Sequence, residues 1–141
     1  MSIRLIHNTL FKNIKQLSLV LFLLFASTFS SVSAKEMAIE AVSYRNHVLS
    51  IKHDSFGDIK FKKRIYADPA RLVFDIFDAK LGSSQTFRYD NITGDISSVR
   101  VAQFEANTVR IVCEAKNTTA LEKIKIENIG QTLYFKFQIN Y

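Results

Sequence analysis

The amino-acid sequence predicts an all-β domain, a small β-sandwich of two similar sheets with about eight short strands, behind a cleaved signal peptide. Three observations carry that expectation. Apolar and polar residues alternate strictly on both sides of the polar connection Phe104 to Asn107, the mark of a hairpin with one buried face. No window shows an apolar stripe at helical spacing, and Pro69 and the glycines fall between apolar runs rather than inside them. The first 34 residues have the three-part build of an export leader.

In that leader Arg4, Lys12 and Lys15 form a basic start, and no acidic residue precedes Glu36. Leu19 to Phe25 is an unbroken apolar run, and the small residues Ser30 to Ala34 suit signal peptidase, placing cleavage after Ala34. The apolar run is short of the ~20 residues that a membrane-spanning helix needs. No cysteine lies near the cleavage point, which argues against a lipid anchor. Residues 1–34 are therefore expected as a signal peptide and 35–141 as one domain, soluble and periplasmic or secreted.

Charge follows the same division. The whole chain carries a formal +6, but residues 35–141 hold 16 basic against 13 acidic side chains, a net of +3. That excess indicates a mild preference for anionic surfaces and argues against a nucleic-acid partner. A single cysteine excludes an intrachain disulfide, and Cys113 falls on the apolar side of its strand, where an inert buried thiol is expected. His7, His47 and His53 form no metal-ligand pattern; the last two are expected as exposed strand-end residues, and no cofactor is implied.

Strands are expected in order along the mature chain. Met37 to Tyr44 and His47 to His53 are joined by Arg45 and Asn46. Ile59, Phe61 and Ile65 alternate with Lys60, Lys62 and Arg64, a basic run that reads first as a solvated strand face. Asp68 to Arg71 makes a turn, because proline fixes φ and the aspartate accepts hydrogen bonds ahead of it. Leu72, Phe74 and Ile76 then face inward, with Arg71, Val73, Asp75 and Phe77 outward. Ala79 to Asp95 is expected as a long linker. Val99 and Val101 face the core opposite Arg100; beyond the turn, Val109, Ile111 and Cys113 face it opposite Thr108, Arg110 and Glu114. Ile124 and Ile126 mark a further strand, and Leu133, Phe135, Phe137 and Ile139 the last. Asn117 to Thr119 is read only as a sequon. A repeat is visible at an offset of 61 residues, pairing Val48 with Val109, Ile65 with Ile126 and Leu72 with Leu133, but it fails where Leu49 and Ile51 meet Arg110 and Val112.

No arrangement of nucleophile and base, phosphate-cradling glycine loop or zinc motif is present, so the domain is not expected to be an enzyme. Asp75 and Asp78 are expected as solvated edge charges.

Two blocks carry a family resemblance. Asp68 to Asp75, followed by Val99 to Phe104 and then Asn107 to Val112, resembles the "NPxRLVxD" and "VRVGQF…TVRVV" blocks of the AMIN (amidase N-terminal) domain. One departure is Ala102, where the family usually has glycine. The resemblance implies a sandwich of two similar sheets that acts in the bacterial envelope as a non-catalytic module binding peptidoglycan. Such domains are commonly joined to a cell-wall amidase or a secretin, and neither follows within these 141 residues. The candidate ligand-binding residues are Arg71, Asp75, Arg100, Gln103, Phe104 and Arg110, which can meet stem-peptide carboxylates and sugar hydroxyls. Arg71 and Asp75 could instead form exposed ion pairs with each other or with Arg100. The alternative function is an assembly factor for an envelope complex such as a secretin, working through its sheet edges.

Overall fold

The computed structural model describes residues 35–139, so the expected signal peptide lies outside the described residues. Ten strands appear rather than eight: β1 Met37–Arg45, β2 Val48–His53, β3 Phe61–Ala67, β4 Ala70–Phe77, β5 Ala79–Leu81, β6 Phe87–Asp90, β7 Ile96–Glu105, β8 Thr108–Ala115, β9 Lys125–Ile129 and β10 Thr132–Lys136. The two extra strands, β5 and β6, lie in the segment expected as a linker. Each is only three or four residues long, too short for period-2 alternation to show. One short helix, α1 (Thr118–Glu122), was also missed. At five residues it cannot display a helical stripe; its signal is Asn117, whose side chain caps the helix by accepting from the Ala120 N–H at 2.9 Å.

The strands form two five-stranded sheets, ordered β5-β1-β2-β10-β9 and β3-β4-β8-β7-β6. Five hairpins build them, four turning on two residues and the fifth, β6–β7, on residues 91–95. Asn46 and His47 both adopt positive φ between β1 and β2, the twist that a two-residue hairpin favours. Asp68 and Pro69, joined by a cis peptide bond, link β3 to β4, Ala106 and Asn107 link β7 to β8, and Gly130 starts the turn from β9 to β10 with φ 60°.

The repeat is real in the topology. Replacing β1, β2, β10 and β9 by β7, β8, β4 and β3 converts the first sheet's four-strand order into the second's, while the edge strands differ, β5 running parallel to β1 and β6 antiparallel to β7. Register refines the offset. Leu49 pairs with Phe135 in the first sheet as Ile111 pairs with Phe74 in the second, so β2 and β8 correspond at 62 residues rather than 61. That single step removes the apparent mismatch of Leu49 with Arg110 and replaces the expected match of Val48 with Val109 by Val48 with Arg110.

The inner faces of the two sheets make one core. Leu72, Phe74, Ile76, Val99, Val101, Val109 and Ile111 are buried there as expected, with Leu133, Phe135 and Phe137, but the last strand stops at Lys136, so Phe137 and Ile139 lie beyond it and Ile139 is exposed. Phe74 and Phe135 meet edge-on across the sheets at 5.2 Å, a favoured aromatic geometry. Cys113 is fully buried, and desolvation pushes its thiol up to about 12. His53 corrects the expectation of an exposed residue. It follows Leu49 and Ile51 on the inward face of β2 and is 1% exposed. Its Nε2 donates to Asn128 Oδ1 at 2.8 Å, and its Nδ1 accepts from the Ser55 N–H. His47 is half-buried in its turn, with Nδ1 donating to the Ile92 carbonyl at 2.9 Å.

Candidate functional site

The outer face of the second sheet collects the candidate residues, and strand register decides how. Across β3-β4-β8-β7-β6, one row reads Tyr66, Arg71, Glu114, Ser98 and Asp90. The next reads Arg64, Val73, Val112, Arg100 and Arg88, and the third Lys62, Asp75, Arg110 and Ala102. Six cations (Lys62, Arg64, Arg71, Arg88, Arg100, Arg110) thus share these three rows with three carboxylates (Asp75, Asp90, Glu114), and a fourth row, Phe77, Thr108 and Glu105, adds a fourth carboxylate.

A groove of about 390 Å³ runs over this face. Arg71, Arg100 and Arg110 flank it, Val73, Ala102 and Val112 line it with apolar surface, and Thr86, Gln103 and Phe104 border it. Five of the six expected site residues therefore meet in one concavity. The valines were not foreseen as part of the site. Their signal was available, since they alternate with the inward residues of β4 and β8 and must stand beside the arginines. Ala102, the departure from the family glycine, puts a methyl group on that same surface.

Each side chain has a distinct state. Asp75 corrects two expectations: it points outward, but it is 3% exposed rather than a solvated edge charge, and it pairs with neither Arg71 nor Arg100. Arg110 holds it in a two-pronged clasp, Nε to Oδ1 at 2.7 Å and Nη2 to Oδ2 at 2.9 Å, while Arg64 Nη2 donates to Oδ2 at 2.7 Å. Those hydrogen bonds, led by Arg110's, hold the Asp75 carboxyl below the usual carboxylate range against its own desolvation. The same bond raises the affinity of Arg110 for its proton. The Arg110 guanidinium also lies 3.4 Å from the centre of the Phe104 ring, a stacked cation–π contact.

Arg100 is half engaged: one Nη2 reaches Glu114 Oε1 at 3.3 Å, and its Nε is buried with no hydrogen-bond partner. Glu114 also accepts from Ser98 Oγ at 3.3 Å. Arg71 stacks over Tyr66 at 4.6 Å and, among the described residues, pairs with no carboxylate. Gln103 plays a different part. Its Oε1 accepts from the Leu81 N–H at 2.9 Å, and its Nε2 lies among the carbonyls of Ala79, Glu105, Ala106 and Thr108, nearest to Glu105 at 2.8 Å. It follows Val99 and Val101 on the inward side of β7, so its amide ties β5 of one sheet to the β7–β8 turn of the other. Among the described residues no cluster of three or more His, Cys, Asp or Glu is placed to hold a metal ion.

The AMIN domain family model matches residues 45–137, nearly the whole of this sandwich, including every residue of the groove. The chain belongs to the AMIN domain family. No curated protein matches it. AMIN domains are non-catalytic modules that bind peptidoglycan and localise periplasmic proteins. Within this AMIN domain the two resemblance blocks are β4 and the β7–β8 hairpin, the strands that build the groove.

Proposed function

We propose that this AMIN domain is an exported, non-catalytic module that binds peptidoglycan in the cell envelope through the basic groove on the outer face of its second sheet. The observation that carries the reading is the coincidence of the family blocks with that groove: Arg71 from β4 and Arg100, Phe104 and Arg110 from the β7–β8 hairpin meet around one apolar strip. Guanidinium groups supply planar, charge-assisted donors for carboxylates, and the strip of Val73, Ala102 and Val112 accepts alkyl surface beside them. Co-sedimentation with purified sacculi tests it: the mature domain pellets with them at moderate salt, and a domain that stays in the supernatant refutes it.

One observation favours the assembly-factor alternative. β3 and β9 are free edges, one on each sheet, and a cleft of about 280 Å³ lies between them, lined by Ile59, Phe61, Phe74, Ile126 and Leu133. Phe61 stands 54% exposed there, stacked on Phe74 at 4.8 Å. An added strand from a partner would find both an edge and an apolar seat. Lys63 points into the same cleft, and an inward-pointing charge is a common guard against edge pairing. The groove is therefore the preferred site.

A further inference from the structure

We infer that the groove recognises the peptide part of the cell wall rather than its glycan, reading a chain-terminal carboxylate flanked by a small alkyl side chain. This deepens the peptidoglycan reading and rests on it.

The sister sheet supplies the first argument. Register equates Arg71 with Thr132, because Arg71 stands opposite Glu114 along the strands as Thr132 stands opposite Lys52. Arg110 corresponds to Val48, since Asp75 pairs with Arg110 as Lys136 pairs with Val48. Arg100 corresponds to Ser43, which meets Ser50 as Arg100 meets Val112. The same scaffold thus builds a stable sheet with threonine, valine and serine where the groove has three arginines. Packing does not demand them. Lysines on the sister face are paired with glutamates, Lys52 with Glu40 and both Lys125 and Lys136 with Glu127, so the cluster of three arginines is particular to the groove.

The second argument is the state of those arginines. Arg110 is neutralised by Asp75 and Arg100 is partly engaged by Glu114, whereas Arg71 is oriented by Tyr66 and left with its guanidinium unpaired among the described residues. The groove therefore offers one uncompensated planar cation beside an aliphatic strip. An uncharged sugar has nothing to neutralise it, and a sugar needs an open aromatic face to stack on. Of the three aromatic rings on this face, Tyr66 carries Arg71, Phe104 carries Arg110, and Phe77 does not line the groove. In peptidoglycan the muramic carboxyl is consumed in the amide bond to the stem peptide, so ionised carboxylates reside on the peptides. A terminal alanine-type residue places a methyl group next to its carboxylate, as the strip of Val73, Ala102 and Val112 requires.

The experiment compares intact sacculi, glycan strands stripped of peptide, and N-acetyl-D-alanyl-D-alanine as free acid and as C-terminal amide, using amide chemical-shift titrations for the soluble probes. The expected result is binding to intact sacculi, none to stripped glycan, and at least tenfold weaker binding of the amide than of the acid. Arg71→Ala should lose about tenfold for the free acid, Arg71→Lys should retain part of it, and Thr132→Ala on the sister face should change nothing. Melting temperatures of all three variants should stay near wild type. Stripped glycan binding as well as intact sacculi would overturn the inference while leaving the wall-binding reading intact. Free acid bound without sacculi would do the reverse, and failure of both would overturn both.

Discussion

Replacing Asp75 by alanine should cost the domain about 3 kcal/mol. The carboxylate accepts three short charge-assisted hydrogen bonds from Arg110 and Arg64 and is almost fully enclosed. Breaking a buried ion pair by removing one partner typically costs ~3–5 kcal/mol. Here the stranded guanidiniums keep 25% and 36% of their side-chain surface in solvent, and that solvation places the loss near the bottom of that range, at ~3 kcal/mol. For a domain of this size such a loss lowers Tm by roughly 12 °C or more. Thermal unfolding followed by far-UV circular dichroism at pH 7 reads it directly. The pH dependence gives an independent check. Because the folded pKa of Asp75 is lowered, its contribution is fully present above the unfolded aspartate value of about 4 and is lost as pH falls through the folded value. Wild type should therefore lose stability more steeply than Asp75→Ala below about pH 4. A loss under ~1 kcal/mol at pH 7, or parallel acid limbs for the two proteins, would refute the clasp as a stabilising element.

Phe135→Ala should cost about 3–5 kcal/mol in denaturant unfolding, since the ring is fully buried against Phe74. Cys113 should resist a thiol reagent at pH 8 in the native protein and react fully in guanidinium, because burial raises its pKa to about 12; rapid native labelling would contradict the packing. Gln103→Ala should destabilise by about 1–3 kcal/mol by stripping the Leu81 N–H of its acceptor, while folded protein binds sacculi as before. N-terminal sequencing of the exported product should begin at Lys35, and recovery of an uncleaved chain would contradict the leader assignment.

Hairpins and core were legible because period-2 alternation is the direct imprint of a sheet with one dry face. Leu72, Phe74 and Ile76, and Val109, Ile111 and Cys113, each declare their side within three alternations. The same rule carried through to His53 reads it correctly as inward; residue type, not pattern, misplaced it. β5, β6 and α1 are too short to hold a period, and they exist because neighbouring strands and Asn117 offer partners for their backbone groups. The duplication was visible as an offset, but its one-residue correction needed the cross-strand register.

The site was legible as a set of residues and illegible as a division of labour. Alternation places Arg71, Asp75, Arg100 and Arg110 on one face, but it cannot say which cation faces which anion, since that depends on the order of strands in the sheet. Because β8 lies between β4 and β7, Arg110 is the direct neighbour of Asp75 and Arg100 is two strands away. β3 brings Arg64 from the other side, and the two arginines together seal Asp75 from water. The consequence is a functional asymmetry among three arginines that look alike in sequence. Arg110 is locked between Asp75 and Phe104 and shapes the groove wall; Arg71, held only by the face of Tyr66, keeps its hydrogen-bonding edge free. Substitutions should therefore separate them. Arg110→Ala exposes Asp75 and lowers both stability and sacculus binding, whereas Arg71→Ala lowers binding with stability intact. Equal losses of stability from the two would show that Arg71 is as structural as Arg110, and would remove the free cation on which recognition of a carboxylate depends.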